Sequence, residues 1–274
     1  MTQSVDSPPR RSGSPPRPET AGIPPFHWWR TVFFLIPLVS LYTIVLGTIS
    51  IVSSLFDRSG DAGHWCARAW STLILKTTGV RVIVQDAARL DPRRSYVFAA
   101  NHQSIYDIPI LFSAIPLQLR IVAKESLGSI PFLGWHLRRT GHLLVDRKNP
   151  GTDIVEKMRR LVSASHSLIV FPEGTRSVDG RVGRFKKGSF LVAIDAGLPV
   201  VPVSVIGSRD IMTKGRLMVR PGEVRVVIHD PIPTSDVRRR QDVIRFGERV
   251  RQVVLAGVDQ PAAPARDSSP AEMR

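Results

Sequence analysis

The feature that most constrains this chain is a run of 26 consecutive residues without a charged side chain, at positions 31–56. A straight helix of that length measures about 39 Å, whereas the hydrocarbon core of a bilayer is about 30 Å thick. Trp28 and Trp29 precede the run, and Trp65 and Trp70 follow it, where interfacial aromatic residues belong. The run therefore predicts a helical segment embedded in a membrane rather than the buried helix of a soluble core.

Two arrangements of this segment in the membrane fit the sequence. A cleavable signal peptide does not fit, because the run is too long and no small-residue cleavage motif follows it closely. Pro37 removes a helical hydrogen bond and Gly47 permits a turn, so both a tilted single span and a hairpin within one leaflet are possible. The next stretch, 64–79, has the spacing either of an amphipathic helix on the bilayer surface or of a packing helix in the following domain.

Composition divides the chain into four parts. The N-terminal part, 1–25, is rich in proline and is predicted to be disordered, as is the C-terminal part, 260–274. Between them we predict a membrane-associated helical segment over 26–78 and one folded domain over 79–259. That domain is long enough for a sizeable hydrophobic core, which excludes a wholly disordered chain and a disulfide-stabilised mini-protein.

The net charge of +15 predicts an anionic partner, and +13 of it lies on residues 57–259. Nucleic acid, an acidic membrane surface and a phosphorylated substrate are the three classes of partner that such a domain favours. The single cysteine, Cys66, cannot form an internal disulfide or anchor a metal site built from several cysteines.

Downstream of Gly79, short runs rich in valine and isoleucine alternate with segments of helical spacing. The predicted strands are 80–85, 95–101, 119–124, 142–146, 167–171, 200–207 and 224–230. The predicted helices are 108–114, 153–164, 188–196 and 237–254. This alternation predicts a single α/β domain with a largely parallel sheet.

A histidine and an aspartate follow the second predicted strand, in the sequence NHQSIYD (101–107). His102 and Asp107 are five residues apart, so they can meet only if the chain turns between strand and helix. A histidine held by a carboxylate is a candidate general base. An ordinary loop histidine and an aspartate that stabilises the first turn of a helix would show the same pattern.

Three further strand ends carry polar groups. The sequence FPEGTRS (171–177) follows the fifth strand and combines the elements of an anion site: a flexible Gly174, the donors of Arg176 and two hydroxyl groups. Lys124 and Arg147 end the third and fourth strands, where a solvated surface charge is the simpler interpretation. Because parallel strands end at one edge of a sheet, we expect these groups to converge with His102.

These motifs resemble those of the glycerolipid acyltransferases. NHQSIYD matches the NHxxxxD motif of that family, and FPEGTRS is similar to its second signature. The segments at 124–135, 141–147 and 198–205 resemble the other motifs, in the same order and over roughly residues 80–210. The chain is most similar to the branch that acylates lysophosphatidic acid, and the resemblance implies a mostly parallel-sheet acyltransferase domain behind an N-terminal membrane segment.

The resemblance also implies roles for particular residues. His102 would deprotonate the acceptor hydroxyl, and Asp107 would orient and stabilise it. The residues implied in acceptor binding are Lys124, Arg147, Glu173, Gly174, Thr175 and Arg176, with the cations on the phosphate. Those implied in the acyl-donor site are Val200, Pro202 and Val203. The C-terminal helix at 237–254, with its three arginines, is predicted to be a solvated or membrane-facing surface.

The implied partners are a lysophospholipid acceptor, acyl-CoA or acyl-carrier protein, and a phospholipid membrane, without nucleic acid, metal or organic cofactor. The implied location is the cell membrane, with the domain on the cytoplasmic side because the donors are cytosolic. Glycerol 3-phosphate, another lysophospholipid or a lyso-ornithine lipid are alternative acceptors. Two rivals remain: a metal-dependent phosphoesterase using His102, Asp107 and Glu173 as ligands, and a non-catalytic basic module that binds anionic lipid or nucleic acid.

Overall fold

A computed structural model describes residues 25–57, 59–85, 90–146 and 166–259 of the chain. The two predicted tails, apart from Pro25, lie outside these residues, as does the predicted helix at 153–164. Each predicted strand is present within one or two residues of its expected bounds. The strands are β1 (Val80–Gln85), β2 (Val97–Ala100), β3 (Leu119–Lys124), β4 (Leu143–Val145), β5 (Ser167–Val170), β6 (Val200–Ile206) and β7 (Gly222–Ile228).

The helices include two pieces that the sequence pattern did not predict, namely α4 and α6. They are α1 (Phe26–Ser53), α2 (Asp61–Thr78), α3 (Asp107–Ala114), α4 (Leu133–Arg139), α5 (Gly188–Asp195), α6 (Ser208–Ile211) and α7 (Arg240–Asp259). Both α4 and α6 are short, and a helix of one or two turns shows too little periodicity to be recognised in a sequence.

The apolar run forms one continuous helix, α1, which has a π-helical turn at Thr31–Leu35. Pro37 follows this π-helical turn closely, so the helical hydrogen bond that its missing N–H group removes falls at an irregular turn of the helix. The chain does not turn at Gly47, so the predicted alternative of a hairpin within the run is wrong. Among the described residues, α1 is the one helix long and apolar enough to cross a membrane, and only 11% of its apolar window is buried.

The seven strands form one sheet in the order β1-β7-β6-β2-β5-β3-β4. All neighbouring strands are parallel except β6 and β7, which are antiparallel. The strands from β6 to β4 therefore end at the same edge, whereas β1 and β7 run the other way. This confirms the mostly parallel α/β fold and places the ends of β2, β5, β3 and β4 side by side.

Helices cover both faces of this sheet and give it three layers. Alternate residues of β2 point to opposite faces, so Phe98 and Ala100 join one core cluster while Val97 and Ala99 join the other. The first cluster includes residues of α2, α3 and α4, and the second includes residues of α5 and α7. The C-terminal helix α7 thus buries one face, including Phe246, Val250 and Val254, against the sheet. The prediction of a helix that only faces solvent or membrane is wrong for that face.

Helix α1 lies along the domain and is attached to it by side-chain hydrogen bonds. Arg30 donates to the carbonyl oxygen of Thr78, and the hydroxyl groups of Tyr42 and Thr77 are 3.0 Å apart. Further along, Trp70 donates to Thr43. Helix α2 packs against α1, α3 and β1, which selects the packing-helix alternative for the stretch after the run.

Candidate active site

His102 and Asp107 form a hydrogen-bonded pair at the edge where β2 ends. Nδ1 of His102 lies 2.7 Å from Oδ2 of Asp107, and the same oxygen accepts the backbone N–H groups of Gln103 and Ser104. Asp107 is fully buried as the first residue of α3. The chain turns between strand and helix, as the five-residue spacing required, and the two predicted catalytic residues meet.

The contacts of His102 determine which nitrogen can act as a base. Because Oδ2 of Asp107 is an acceptor for three donors, Nδ1 of His102 carries the proton and Nε2 carries the lone pair. The ring stacks on Phe171, with centroids 4.0 Å apart, which fixes its plane. Nε2 has no hydrogen-bond partner among the residues described, so it is open to a substrate hydroxyl group.

Glu173 holds the backbone of His102 from the neighbouring strand end. Its Oε1 accepts the N–H group of His102 at 2.8 Å, and its Oε2 accepts the N–H group of Gly183 at 2.9 Å. The carbonyl oxygen of His102 accepts the N–H group of Ser177. Burial raises the pKa of Glu173, and these backbone hydrogen bonds act in the opposite direction. The second motif therefore positions the catalytic peptide rather than only lining an acceptor site.

The predicted anion site contains two lysines that sequence reasoning missed. Gly174 has φ +73°, and a Cβ at this position would lie 2.8 Å from Nζ of Lys186, so the turn requires glycine. Lys214 donates to Oγ1 of Thr175 and to the carbonyl oxygen of Arg176. Both lysines lie outside FPEGTRS in the sequence. A basic side chain alone does not indicate which residues it will contact in the folded protein.

The remaining predicted substrate residues do not all lie at the site. Lys124 ends β3 as an exposed residue without an ion pair in the described part of the chain, and Arg147 lies outside that part. Val200, Pro202 and Val203 are buried in β6 beside β2. Strand β6 supports the site through Val205, whose backbone forms two hydrogen bonds with the side-chain amide of Asn101, the residue after β2. The binding roles of these residues stay predictions.

A residue of the C-terminal helix is connected to the site by a chain of hydrogen bonds. Arg251 donates to the carbonyl oxygens of Gly183 and Val182 at 2.8 and 3.2 Å. Gly183 in turn donates to Glu173, which accepts from His102. The sequence showed only another arginine in a basic helix, so this connection could not be predicted from it.

An apolar cavity of ≈ 140 Å³ lies beneath α3, next to the catalytic pair. Ile105, between His102 and Asp107, is 46% exposed and lines it. Residues from several helices and from β3 line the cavity, among them Leu46, Trp70, Phe112, Ile121, Ala123 and Leu137. A substrate with a reactive polar end at His102 can therefore place a hydrocarbon chain in this cavity.

The predicted alternative of a metal site lacks a suitable set of ligands. Among the described residues, no three histidine, cysteine, aspartate or glutamate side chains are grouped so that they could hold a metal ion. Both oxygens of Glu173 and Oδ2 of Asp107 accept N–H groups of the chain itself. The geometry therefore favours a base over a metal-dependent phosphoesterase.

Comparison with known proteins supports this interpretation. The acyltransferase family profile matches residues 81–206. The chain is 39% identical over 176 residues to the chloroplastic 1-acyl-sn-glycerol-3-phosphate acyltransferase LPAT1 of Arabidopsis thaliana, covering 63% of this chain and 49% of the relative. It is 32% identical over 183 residues to the human 1-acyl-sn-glycerol-3-phosphate acyltransferase alpha, covering 65% of this chain and 63% of that protein.

A solved structure shares most of the fold. The 1-acyl-sn-glycerophosphate acyltransferase PlsC from Thermotoga maritima is 26% identical, with a TM-score of 0.67, and the match covers 82% of this chain and 97% of that one. The chain spans between 44% and 63% of the length of the curated relatives it matches.

Proposed function

Because residues 81–206 match the acyltransferase family profile, we propose that the chain acylates lysophosphatidic acid to phosphatidic acid. The donor is an acyl thioester, either acyl-CoA or acyl-carrier protein. The observation that carries the proposal is the open Nε2 of His102, whose Nδ1 is held by Asp107, together with the apolar cavity that the intervening Ile105 lines. The named relatives and the solved structure act on the same class of acceptor.

The catalytic step follows from the geometry of His102. Nε2 takes the proton of the acceptor hydroxyl as the oxygen attacks the thioester carbonyl, and Asp107 stabilises the resulting imidazolium. The tetrahedral intermediate then collapses, the C–S bond breaks and the imidazolium returns the proton to the leaving thiolate. A base positioned in this way contributes about 10²–10⁴-fold to the rate. The N–H groups of Gln103 and Ser104 are engaged with Asp107, so other donors must stabilise the oxyanion.

The phosphate of the acceptor is bound by the cations around the second motif. Lys186 lies next to Gly174, and Lys214 donates to Thr175 and to the carbonyl oxygen of Arg176. With the guanidinium of Arg176, these two ammonium groups supply the cations that a phosphate monoester requires. Lys124, exposed at the end of β3, adds a further cation at this edge of the sheet, and the role of Arg147 on the phosphate stays a prediction. No metal or organic cofactor takes part, so activity is expected to persist in the presence of a chelator.

Membrane binding is assigned to the outer face of α1. Phe33, Phe34, Leu41 and Val52 are exposed there, while the opposite face lies against the domain. Because that contact extends along the helix, α1 lies half-embedded in one leaflet rather than crossing the bilayer. Basic residues of the domain add about 1 kcal/mol each where they meet anionic headgroups. The membrane is the cell membrane, with the domain on its cytoplasmic side, where acyl thioesters are made.

The first test measures thiol release and phosphatidic acid formation by membranes that contain the protein, given acyl-CoA and lysophosphatidic acid. Release must depend on the acceptor and disappear in His102→Ala. Acyl-carrier protein, glycerol 3-phosphate, other lysophospholipids and lyso-ornithine lipid are compared in the same assay to identify donor and acceptor. If no pair is used, or if the variant equals the wild type, the proposal is wrong and the non-catalytic binding module becomes the leading alternative.

A further inference from the structure

The apolar cavity contains two histidines that the proposed reaction does not use. His136 and His142 both line it, are buried, and have ring centroids 5.5 Å apart. The other lining groups are mainly hydrocarbon side chains of α1, α2, α3 and β3. Neither histidine has a carboxylate partner within the described residues, in contrast to His102. Two imidazoles that line a mainly hydrocarbon cavity add polar groups that an unsubstituted acyl chain cannot hydrogen-bond.

The hydrogen bonds of the two rings define what the cavity presents to a ligand. Nδ1 of His142 accepts the backbone N–H group of Ile121 at 3.1 Å, so the proton of this imidazole is on Nε2. Burial lowers the pKa of His142 well below its usual value and keeps the ring neutral. Nδ1 of His136 lies 2.6 Å from the hydroxyl group of Ser50, which can donate or accept. Neither Nε2 has a partner in the described part of the chain.

One kind of ligand group has both the acceptor and the donor that the two nitrogens require, and the rings are close enough to be neighbours in the cavity. A hydroxyl group can accept a hydrogen bond from Nε2–H of His142 and donate one to Nε2 of His136 when Nδ1 of His136 is protonated toward Ser50. A carbonyl or ether oxygen could satisfy only the first of these, and a methylene group neither. Water and alcohols have this combination of donor and acceptor, and of the two only an alcohol can be part of a substrate chain.

We propose that His136 and His142 bind a hydroxyl group carried in the middle of the acyl chain, so that mid-chain hydroxyacyl groups are substrates of this protein. The inference rests on the proposed function, since it places an acyl chain in the cavity. Ile121 precedes the end of β3 by three residues, which puts the pair about 10 Å below the catalytic edge. A hydroxyl group near the carboxyl carbon lies too close to His102 to reach it.

The test compares stearoyl-CoA with hydroxystearoyl-CoA bearing the hydroxyl group either mid-chain or near the carboxyl carbon. A second arm places the mid-chain hydroxyl group on the acyl chain of lysophosphatidic acid, which distinguishes donor from acceptor as its source. Wild-type protein is expected to have a kcat/KM for one mid-chain hydroxyl substrate at least equal to that for its unsubstituted counterpart. In His142→Phe this ratio should fall about tenfold, the effect of one lost hydrogen bond.

His64→Phe is the matched control, because His64 is a half-buried histidine whose pKa burial also lowers and whose ring centroid is 6.0 Å from that of Phe112, but it does not line the cavity. Its ratio should equal that of the wild type. His136→Phe provides a second variant if His142→Phe does not fold. Binding of hydroxystearate and stearate to the solubilised protein is measured in parallel and does not require catalysis.

The inference would be overturned if wild type and His142→Phe discriminated equally against the mid-chain hydroxyl group. It would also be overturned if the preference of the wild type did not depend on the position of the hydroxyl group. Failure of wild-type protein to transfer stearate to any acceptor would instead contradict the proposed function, and the binding measurement would still test the histidine pair.

Discussion

Two histidine environments lie within one domain, and their difference explains how the same side chain serves two purposes. His102 is at a strand end, is bonded to a carboxylate and keeps its lone pair at Nε2. His136 and His142 lie inside the cavity, have a hydroxyl and a backbone partner instead, and have lowered pKa values. A carboxylate partner supports a base that must become charged, whereas burial without one maintains a neutral donor.

Asp107→Asn should have the largest effect, because it removes the charge on which this contrast depends. The amide oxygen can still accept N–H groups, but it stabilises an imidazolium far less. We expect kcat to fall by about 10²–10⁴-fold with little change in KM. Steady-state kinetics on membranes measures both.

Asp179→Asn is the matched control, because Asp179 is an exposed carboxylate in the loop after FPEGTRS that bonds Ser177 and not His102. It should retain activity within about threefold. Similar losses in both variants would mean that Asp107 acts only as a structural cap.

The pH dependence of stability tests the environment of the cavity histidines. Burial lowers the pKa of His136 from 6.5 to about 4. The unfolded chain therefore binds the proton first, so this contribution to stability is complete above pH 6.5 and is lost as the pH falls towards 4. Across that window it amounts to about 3 kcal/mol.

His136→Phe should remove this pH-dependent contribution to the free energy of unfolding. The contribution is measured from urea unfolding in mild detergent at about pH 7 and about pH 5. The loss of unfolding free energy between the two conditions should be about 2 kcal/mol smaller than in the wild type. The difference between the proteins at the higher pH reports packing alone. An unchanged pH dependence would show that His136 is solvated in the native state.

Filling the cavity should change the chain-length preference without changing the chemistry at His102. Ala67 on α2 lines the cavity, and Ala69 on the same helix does not. Ala67→Phe should reduce kcat/KM for long-chain acyl-CoA about tenfold and spare short-chain donors, because the chemistry at His102 is untouched.

Ala69→Phe should leave the chain-length profile unchanged in the same assay. A uniform loss across all chain lengths in Ala67→Phe would indicate that the substitution disturbs the catalytic edge and that the cavity does not hold the acyl chain.

The smallest effect is expected for the connection between α7 and the catalytic edge. Arg251→Ala removes the donors that hold Gly183, which bonds Glu173, so kcat should fall several-fold while KM changes little. Arg245→Ala is the matched control, since Arg245 is on the same helix and, among the described residues, pairs with Asp242 at the surface. Equal kinetics for the two variants would contradict a positioning role for Arg251.

Local patterns were sufficient for much of the fold and for the catalytic pair. The strands and the long apolar helix were predicted because their periodicity and composition are properties of consecutive residues. His102 and Asp107 were predicted because both belong to one short motif at a strand end. The convergence of strand ends followed from the parallel sheet, although Lys124 remains exposed at that edge and Arg147 lies outside the described residues.

The sequence by itself therefore determined the elements, the sheet class and the position of the base. Only the tertiary structure decided that Glu173 bonds the backbone of His102, 71 residues earlier, that Ser50 meets His136, 86 residues later, and that helices and strands enclose the cavity. The physical reason is separation along the chain. Hydrogen bonds and packing between distant residues depend on how whole elements dock, and no local periodicity records that.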